Sequence, residues 1–456
     1  NLGYSEEQAA RIASDIAVLV NSSGRVTFNP PLEAALKTNV TGTLNTIAFA
    51  KRMKRPTLVH VSTCFVAGNR SGQIWENEPL VGYFPRKGEP EAPHFSVEQE
   101  IQDCKRLAAR VRDEAQDNSL VDRFQGAAKK RFLEEGRDPD DEKALRLAVA
   151  RERKNWIRSR LTDLGIEKAN WWGWPNIYTY TKSLGEQLVA AETDIVRTIV
   201  RPAIVESSVE FPFPGWNEGF TTTAPLVHMA LKGQNLFPVE KNLTLDIIPV
   251  DHAAAVVLAV TAQAAVEEPA LVHQVCSGDT NPARLGRLVV LLGLYKRKHF
   301  KEKETGSRLL NEIAARMEAQ AVSPDRFERI SMPMLHRGTR KIQELLDQLP
   351  PQQLGPFGGV VEQVRDAVNR FESFTSQGEE HYHTFRPFIV DNDCTFRADN
   401  TRAIFERMPA EEQELLPWGI ASLNWYDYWL KVHLPGLEKW IFPRLDEAER
   451  AKPRRV

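Results

Sequence analysis

Cysteine is scarce here: Cys64, Cys104, Cys276 and Cys394 are scattered through 456 residues without a CxxC pair. That spacing argues against a disulfide framework or a structural zinc site, and it suits a reducing compartment such as the cytoplasm. An excess of either charge is also missing. The 59 Lys plus Arg and 61 Asp plus Glu leave a formal net charge of -2, which gives no case for nucleic acid as the main partner. No uninterrupted apolar stretch approaches the ~18–20 residues of a membrane span. The opening "NLGYSEEQAARIASD" has no signal-peptide pattern and no initiator Met, so the chain is expected to begin inside a longer protein. Internal repeats and low-complexity tracts are absent as well.

What remains is the composition of an ordinary soluble protein, with 42% hydrophobic and 26% charged residues in a length that allows two or three domains. "DIAVLVNSSG" (15–24) reads as a buried parallel strand running into a tight loop. "PPLEAALKTNVTGTLNTIAFAKRM" follows as a helix opened by prolines, and "TLVHVSTCFVAG" (57–68) as a second strand. Strand, helix and strand of these lengths make a βαβ unit. From about Phe84 to Asn170 the chain turns charge-rich and helical. Strand signals resume in "DIVRTIVRPAIVES" (194–207), "LTLDIIPVDHAAAVVLAV" and "LVHQVCSGD". After about Lys296, amphipathic helix dominates, through "LLNEIAARMEAQ" and "TRKIQELLDQL" to the aromatic "LNWYDYWLKVHLPGLEKWIF". The expected organisation is a first α/β part over 1–84, a helical insertion over 85–170, completion of the α/β part over 171–300 and a helical domain over 301–456.

"NIYTYTKSLGEQLV" (176–189) carries the chemical signal. Tyr178 and Lys182 are four residues apart on one helix face, where a lysine charge would favour phenolate and lower the tyrosine pKa toward the range of a general acid or base. An isolated YxxxK is more simply a tyrosine packed over an aliphatic lysine stem. Tyr180, about 200° round the helix, cannot share a face with Lys182. Ser62 and Thr63 end the second strand and Asn39 lies in the preceding helix, so a hydroxyl, a phenol and an ammonium group come into line. Strand alternation sends Ser62 and Thr63 to opposite faces, leaving open which of them faces Tyr178.

Other features have plainer readings. Cys64 beside Thr63 invites a thioester mechanism, but no histidine is placed to activate it. His381 and His383 in "HYH" lack a third ligand at metal-binding spacing. "YKRKHFKEK" (295–303) could meet phosphates or an anionic membrane surface, although a solvated helix end explains it. Trp425, Tyr428 and Trp429 form a helix core or line an acyl tunnel.

The ordered set resembles the extended short-chain dehydrogenase/reductases and, within them, the bacterial-type fatty acyl-CoA reductases. The closer match rests on "YTYTKSLGEQ" with "IVRPAIVESS", on "FPFPGWNEGFTTTAPL", "DIIPVD" and "CSGDTNP", and on "CTFRADNTRAIFERM" with the aromatic C-terminal run. The resemblance implies a Rossmann-like doubly wound parallel sheet with a helical insertion and an all-helical C-terminal domain. It implies NADPH as cofactor and long-chain acyl-CoA as substrate, reduced through a hemithioacetal and aldehyde to the primary alcohol. Thr63, with Ser62 beside it, would polarise the carbonyl, Tyr178 would protonate the oxyanion, and Lys182 would hold the nicotinamide ribose and tune Tyr178. Ser22, Ser23 and Gly24 would line the cofactor, Asn39 would support a water by Lys182, and Pro202 and Val205 would lie by the carboxamide.

No GxxGxxG precedes "DIAVLVNSSG", so a segment of about 100 residues bearing the first two βα units is expected upstream, and the chain from Asn1 is expected to be inactive alone. The competing expectations are a thioester reductase that takes acyl groups from a carrier protein and stops at aldehyde, and a non-catalytic lipid-binding scaffold.

Overall fold

Alternation along short β-branched runs decides the architecture. Strands β1 (Leu19–Asn21), β2 (Thr57–Val61), β4 (Val196–Pro202) and β8 (Val272–Val275) form one parallel sheet in the order β1-β2-β4-β8. The register aligns Leu19 with Leu58, Thr57 with Val196 and Ile199 with Val272. Successive side chains point to opposite faces, so Leu58, Ile199 and Val272 enter one core while Val59, Val200 and Val275 enter another. Helices α3 (Gly42–Ala50) and α7 (Ile177–Ala191) cover the first face, and α9 (Val250–Val266) covers the second. The structure is a computed structural model that describes residues 3–239, 243–302, 308–316, 318–330, 382–416 and 418–445. It has the expected doubly wound α/β fold.

The helix expected after β1 forms with an interruption. Helix α2 (Leu32–Leu36) passes into a π-helical turn over Lys37–Thr41 before α3 resumes the α pitch. The charge-rich region supplies three helices: α4 (Val97–Glu114), α5 (Asn118–Glu134) and α6 (Glu142–Trp172). Helix α6 runs on through Gly165, which packs against Ile177 and Leu32, as far as Gly173, whose φ of 97° closes the helix in the left-handed region. The apolar run "LTLDIIPVDHAAAVVLAV" is mostly helix: only β7 (Ile247–Pro249) is strand, and α9 follows at once. Strand β4 ends at Pro202, and β5 (Ile204–Glu206) pairs with β7 in a separate ribbon.

The C-terminal part departs from the all-helical expectation. Strand β9 (Gln320–Val322) pairs in parallel with β6 (Leu236–Pro238), and β10 (Cys394–Phe396) pairs with β3 (Gly72–Ile74). Three-residue strands have no periodicity to read in advance, and here they join distant segments through backbone hydrogen bonds. Trp425, Tyr428 and Trp429 sit in the main core, with the Tyr428 hydroxyl donating to the Ser207 carbonyl at 2.7 Å. The helix expected over 339–349 and His381 lie outside the described residues.

Candidate active site

The start of α7 is held by its cap. Asn176 accepts the Thr179 N–H at 2.9 Å, and the otherwise unpaired Tyr178 N–H donates to the Phe28 carbonyl at 2.9 Å. Phe28 belongs to the loop that leaves β1, and its ring lies 6.4 Å from that of Tyr178. The loop and the helix mouth are therefore fastened together.

The Tyr178 phenol lies near enough to the Thr63 side chain for Thr63 to lower its pKa. Thr63 also donates to the Pro202 carbonyl at 3.2 Å and accepts the Phe65 N–H at 3.3 Å. The strand geometry breaks at Ser62 and Thr63. Strand β2 stops at Val61, and Thr63 caps a short 3-10 turn over Cys64–Ala67, so simple alternation no longer governs it. The Ser62 Oγ is buried and has no hydrogen-bond partner among the described residues. Lys182 is 4% exposed, and its Nζ donates to the Val61 carbonyl at 2.6 Å.

The electrostatics correct one expectation. Part of the Tyr178 ring stays accessible, yet burial pushes its hydroxyl up to about 12, with the Thr63 hydrogen bond pulling the other way. Lys182 does not bring the phenol down. Its ammonium is turned to the end of β2, and burial lowers Lys182 itself to about 8 against the opposing pull of Glu186. The phenol is consequently protonated at neutral pH, the state an acid needs.

Asn39 sits in the π turn and is 2% exposed. Its Oδ1 accepts the Arg25 N–H at 2.8 Å, and its Nδ2 donates to Thr181 Oγ1 at 3.0 Å. A Cβ on Gly185 would stand 2.2 Å from the Asn39 carbonyl oxygen, so only glycine lets α7 cross this close. Ser22, Ser23 and Gly24 form an exposed loop, and the Ser23 hydroxyl donates to Asn21 Oδ1 at 2.7 Å. Pro202 joins the site through Thr63. Val205, on β5, is partly buried and packs against the main core.

The site thus gathers at the C-terminal ends of β1, β2 and β4, where parallel sheets bind their ligands. Sequence reading passed over Asn21 and His60, which meet at 3.2 Å beneath the loop. A histidine in the otherwise apolar "TLVHV" was the available signal. Burial, and then the Lys182 charge, hold His60 well below the usual imidazole range. Phe28 was missed too; its ring stacks on Phe388 at 5.5 Å.

The rival groups have other attachments. The Tyr180 hydroxyl is bonded to Glu100 on α4 and lies 3.2 Å from Cys104 Sγ. Cys64 donates its thiol to the Arg201 carbonyl at 2.9 Å and is pushed well up by burial. In the 295–303 run, Lys296 is buried, Arg297 pairs with Glu318, and Tyr295 and His299 meet Glu438; Lys303 lies outside the described residues. Among the described residues no group of three or more His, Cys, Asp or Glu could hold a metal ion, and no helix is long and apolar enough to cross a membrane.

Comparison with known proteins places this chain in a family. Residues 1–257 match the NAD-binding model described as male sterility protein. Across 97% of its length the chain is 28% identical to chloroplastic fatty acyl-CoA reductase 2 of Arabidopsis thaliana, and it spans 64% of that relative. It is 31% identical to the alcohol-forming fatty acyl-CoA reductase of Simmondsia chinensis over 62% of this chain and 51% of that one. The terminal R domain of the myxalamid PKS-NRPS pathway shares the fold, with a TM-score of 0.50 at 13% identity over 97% of this chain and 73% of that chain. Since the family match takes in more than half of its residues, the chain belongs to the male sterility protein family, in the company of fatty acyl-CoA reductases.

Proposed function

We propose that this protein, in its full-length form, reduces long-chain fatty acyl-CoA with NADPH, first to the aldehyde and then to the primary alcohol. The observation that carries the reading is the convergence of Tyr178, Thr63 and buried Lys182 at the strand ends of a parallel sheet. Tyr178 and Thr63, near one another, can both address one carbonyl oxygen, Thr63 by turning its proton from the Pro202 carbonyl. Thr63 fixes the position of that oxygen, and Tyr178, protonated at neutral pH, gives up its proton as charge develops there. The relatives named above support the substrate class.

The residues present fit a nicotinamide ribose. A Cβ on Gly24 would stand 3.9 Å from Lys182 Nζ and 3.8 Å from Asn39 Oδ1, so the missing side chain keeps the approach to the ammonium clear. Lys182 would hold the ribose, and the exposed Ser22–Gly24 loop would line the dinucleotide. When bound, the cofactor supplies the hydride. Asn39 holds the Arg25 backbone, keeping the loop against α7. Ser62 offers one further donor near the end of β2.

Turnover by the purified full-length protein tests the reading. Palmitoyl-CoA should be reduced far better than acetyl-CoA, since each buried methylene contributes up to about 0.8 kcal/mol. Product analysis should find primary alcohol with only transient aldehyde. Aldehyde as the sole end product would move the assignment to a thioester reductase, and no acyl-dependent NADPH oxidation would remove the reductase reading altogether.

A further inference from the structure

Away from the strand ends lies a second concave feature, a groove of about 1020 Å³ between the charge-rich helices and the π turn. Its cations come from four places. Helix α4 contributes Lys105 and Arg112, while α6 contributes Arg153, Lys154 and Arg158. Arg25 and Lys37 complete it from the cofactor-side loop and the first residue of the π turn. Glu33 is the one acidic residue in the lining, and it is paired with Arg112. The other six cations have no carboxylate partner among the described residues. In a chain of net charge -2 this is a local concentration of positive charge without an internal use.

The floor is of a different nature. Ala108, Ile157 and Leu161 lie between the cations, continuous with the small core that joins α4 to α6. The spacing produces this layout: on α6, residues 154, 157, 158 and 161 share a face, as do 105, 108 and 112 on α4. Long cationic side chains therefore rise around an apolar recess. A flat heterocycle carrying several phosphates matches both parts, with the base on the apolar floor and the phosphates among the ammonium and guanidinium groups. A folded acidic partner would reach the cations but leave the recess unfilled.

We propose that this groove holds the phosphorylated adenosine of the acyl-CoA substrate. The choice of ligand rests on the reductase reading above. The groove also adjoins the site through the chain itself: Arg25 follows Gly24, and the π turn that starts at Lys37 carries Asn39. A nucleotide held here leaves its flexible arm free to bring the thioester round the loop toward Tyr178. The groove selects for the carrier of the acyl group, separately from the hydroxyl pair that acts on the carbonyl.

Two measurements on the full-length protein separate this inference from the reading it rests on. Titration with adenosine 3′,5′-bisphosphate, which has neither thioester nor acyl chain, should show saturable binding that weakens with salt. The double variant Arg153→Glu/Arg158→Glu should weaken that binding by about tenfold or more. In the same variant, kcat/KM for palmitoyl-CoA should fall by a similar factor relative to palmitoyl-pantetheine, which lacks the nucleotide. Lys130→Glu, on α5 outside the groove, should leave this ratio unaltered. Binding by a wild-type protein that reduces no acyl-CoA would uphold the groove and remove the reductase reading. Equal binding by the double variant would overturn the groove as a nucleotide site. So would a rise in KM confined to NADPH, which would give the groove to the cofactor, or a loss confined to acyl groups on a carrier protein.

Discussion

Tyr178 and Tyr180 are two residues apart on one helix and have opposite surroundings. The Tyr180 face points into the helical layer, where Glu100 gathers donors: the Tyr180 hydroxyl, Trp172 Nε1 at 2.8 Å and Lys168 Nζ at 3.0 Å. Every polar group there answers another. The Tyr178 face points to the strand ends, where its phenol lies near Thr63 and Ser62 keeps a buried hydroxyl with no hydrogen-bond partner among the described residues. The first cluster is complete within the protein. The second has polar capacity left for a ligand. A tyrosine's use is thus set by whether its neighbours are already satisfied, more than by the YxxxK spacing itself.

The comparison can be broken most directly at the two hydroxyls. Tyr178→Phe should cut turnover by about 10²–10⁴ and barely shift the melting temperature, because it removes a positioned acid. Acyl-CoA-dependent NADPH oxidation and thermal melts together read both quantities. A Tyr178→Phe protein with normal kcat would return the question to Tyr180.

The next effect concerns pH. Lys182 falls to about 8 on burial, against roughly 10.4 in an unfolded chain. Between those values the unfolded state binds more protons, so this group's contribution makes stability rise with pH, and below pH 8 the buried charge is a standing penalty. Activity should move the other way. Loss of the ammonium charge above about pH 8 should lower kcat/KM, and Lys182→Met should remove that limb of the profile. A profile whose alkaline limb survives in Lys182→Met would assign the titration elsewhere.

Gly185→Ala should destabilise by about 1–3 kcal/mol, since its methyl collides with the Asn39 carbonyl and forces α7 off the π turn. Denaturant unfolding measures this, and a neutral result would mean the helices part at little cost. Tyr180→Phe tests the closed cluster: it should cost about 1–3 kcal/mol, by leaving buried Glu100 one donor short, with turnover nearly preserved. Were Tyr180→Phe inactive but fully stable, the contrast between the two faces would be lost. Smallest is Ser62→Ala, which should leave stability unchanged or raise it by up to about 1 kcal/mol, because a buried hydroxyl with no hydrogen-bond partner among the described residues is removed.

Much of this was legible beforehand. Tyr178 and Lys182 could be placed on one face because i and i+4 coincide on any helix, and the parallel sheet could be read from short β-branched runs separated by helices. The partner of Tyr178 could not, because alternation fails once β2 stops at Val61 and a 3-10 turn begins. Nor could the direction of the Tyr178 shift, which depends on desolvation and on where the Lys182 ammonium turns, and neither is written in spacing. The "YKRKHFKEK" run attracted notice for its charge, yet several of its members are tied to neighbours. The basic groove went unremarked because its cations are drawn from segments far apart in the chain.

The pairing of β3 with β10 also sets an order in time. Cys394 Sγ donates to the Arg70 carbonyl at 2.7 Å across 324 residues of chain. At about 5–20 residues per second, a ribosome needs roughly 16–65 s to make that span. Throughout that interval β3 has no strand to pair with in its ribbon, and Phe28 lacks the ring of Phe388 that will stack on it. The first βα units can fold soon after they emerge, but the surroundings of Tyr178 are finished only when late-made residues return to early-made ones. A nascent chain stalled before residue 388 would carry Thr63, Tyr178 and Lys182 without that aromatic cover.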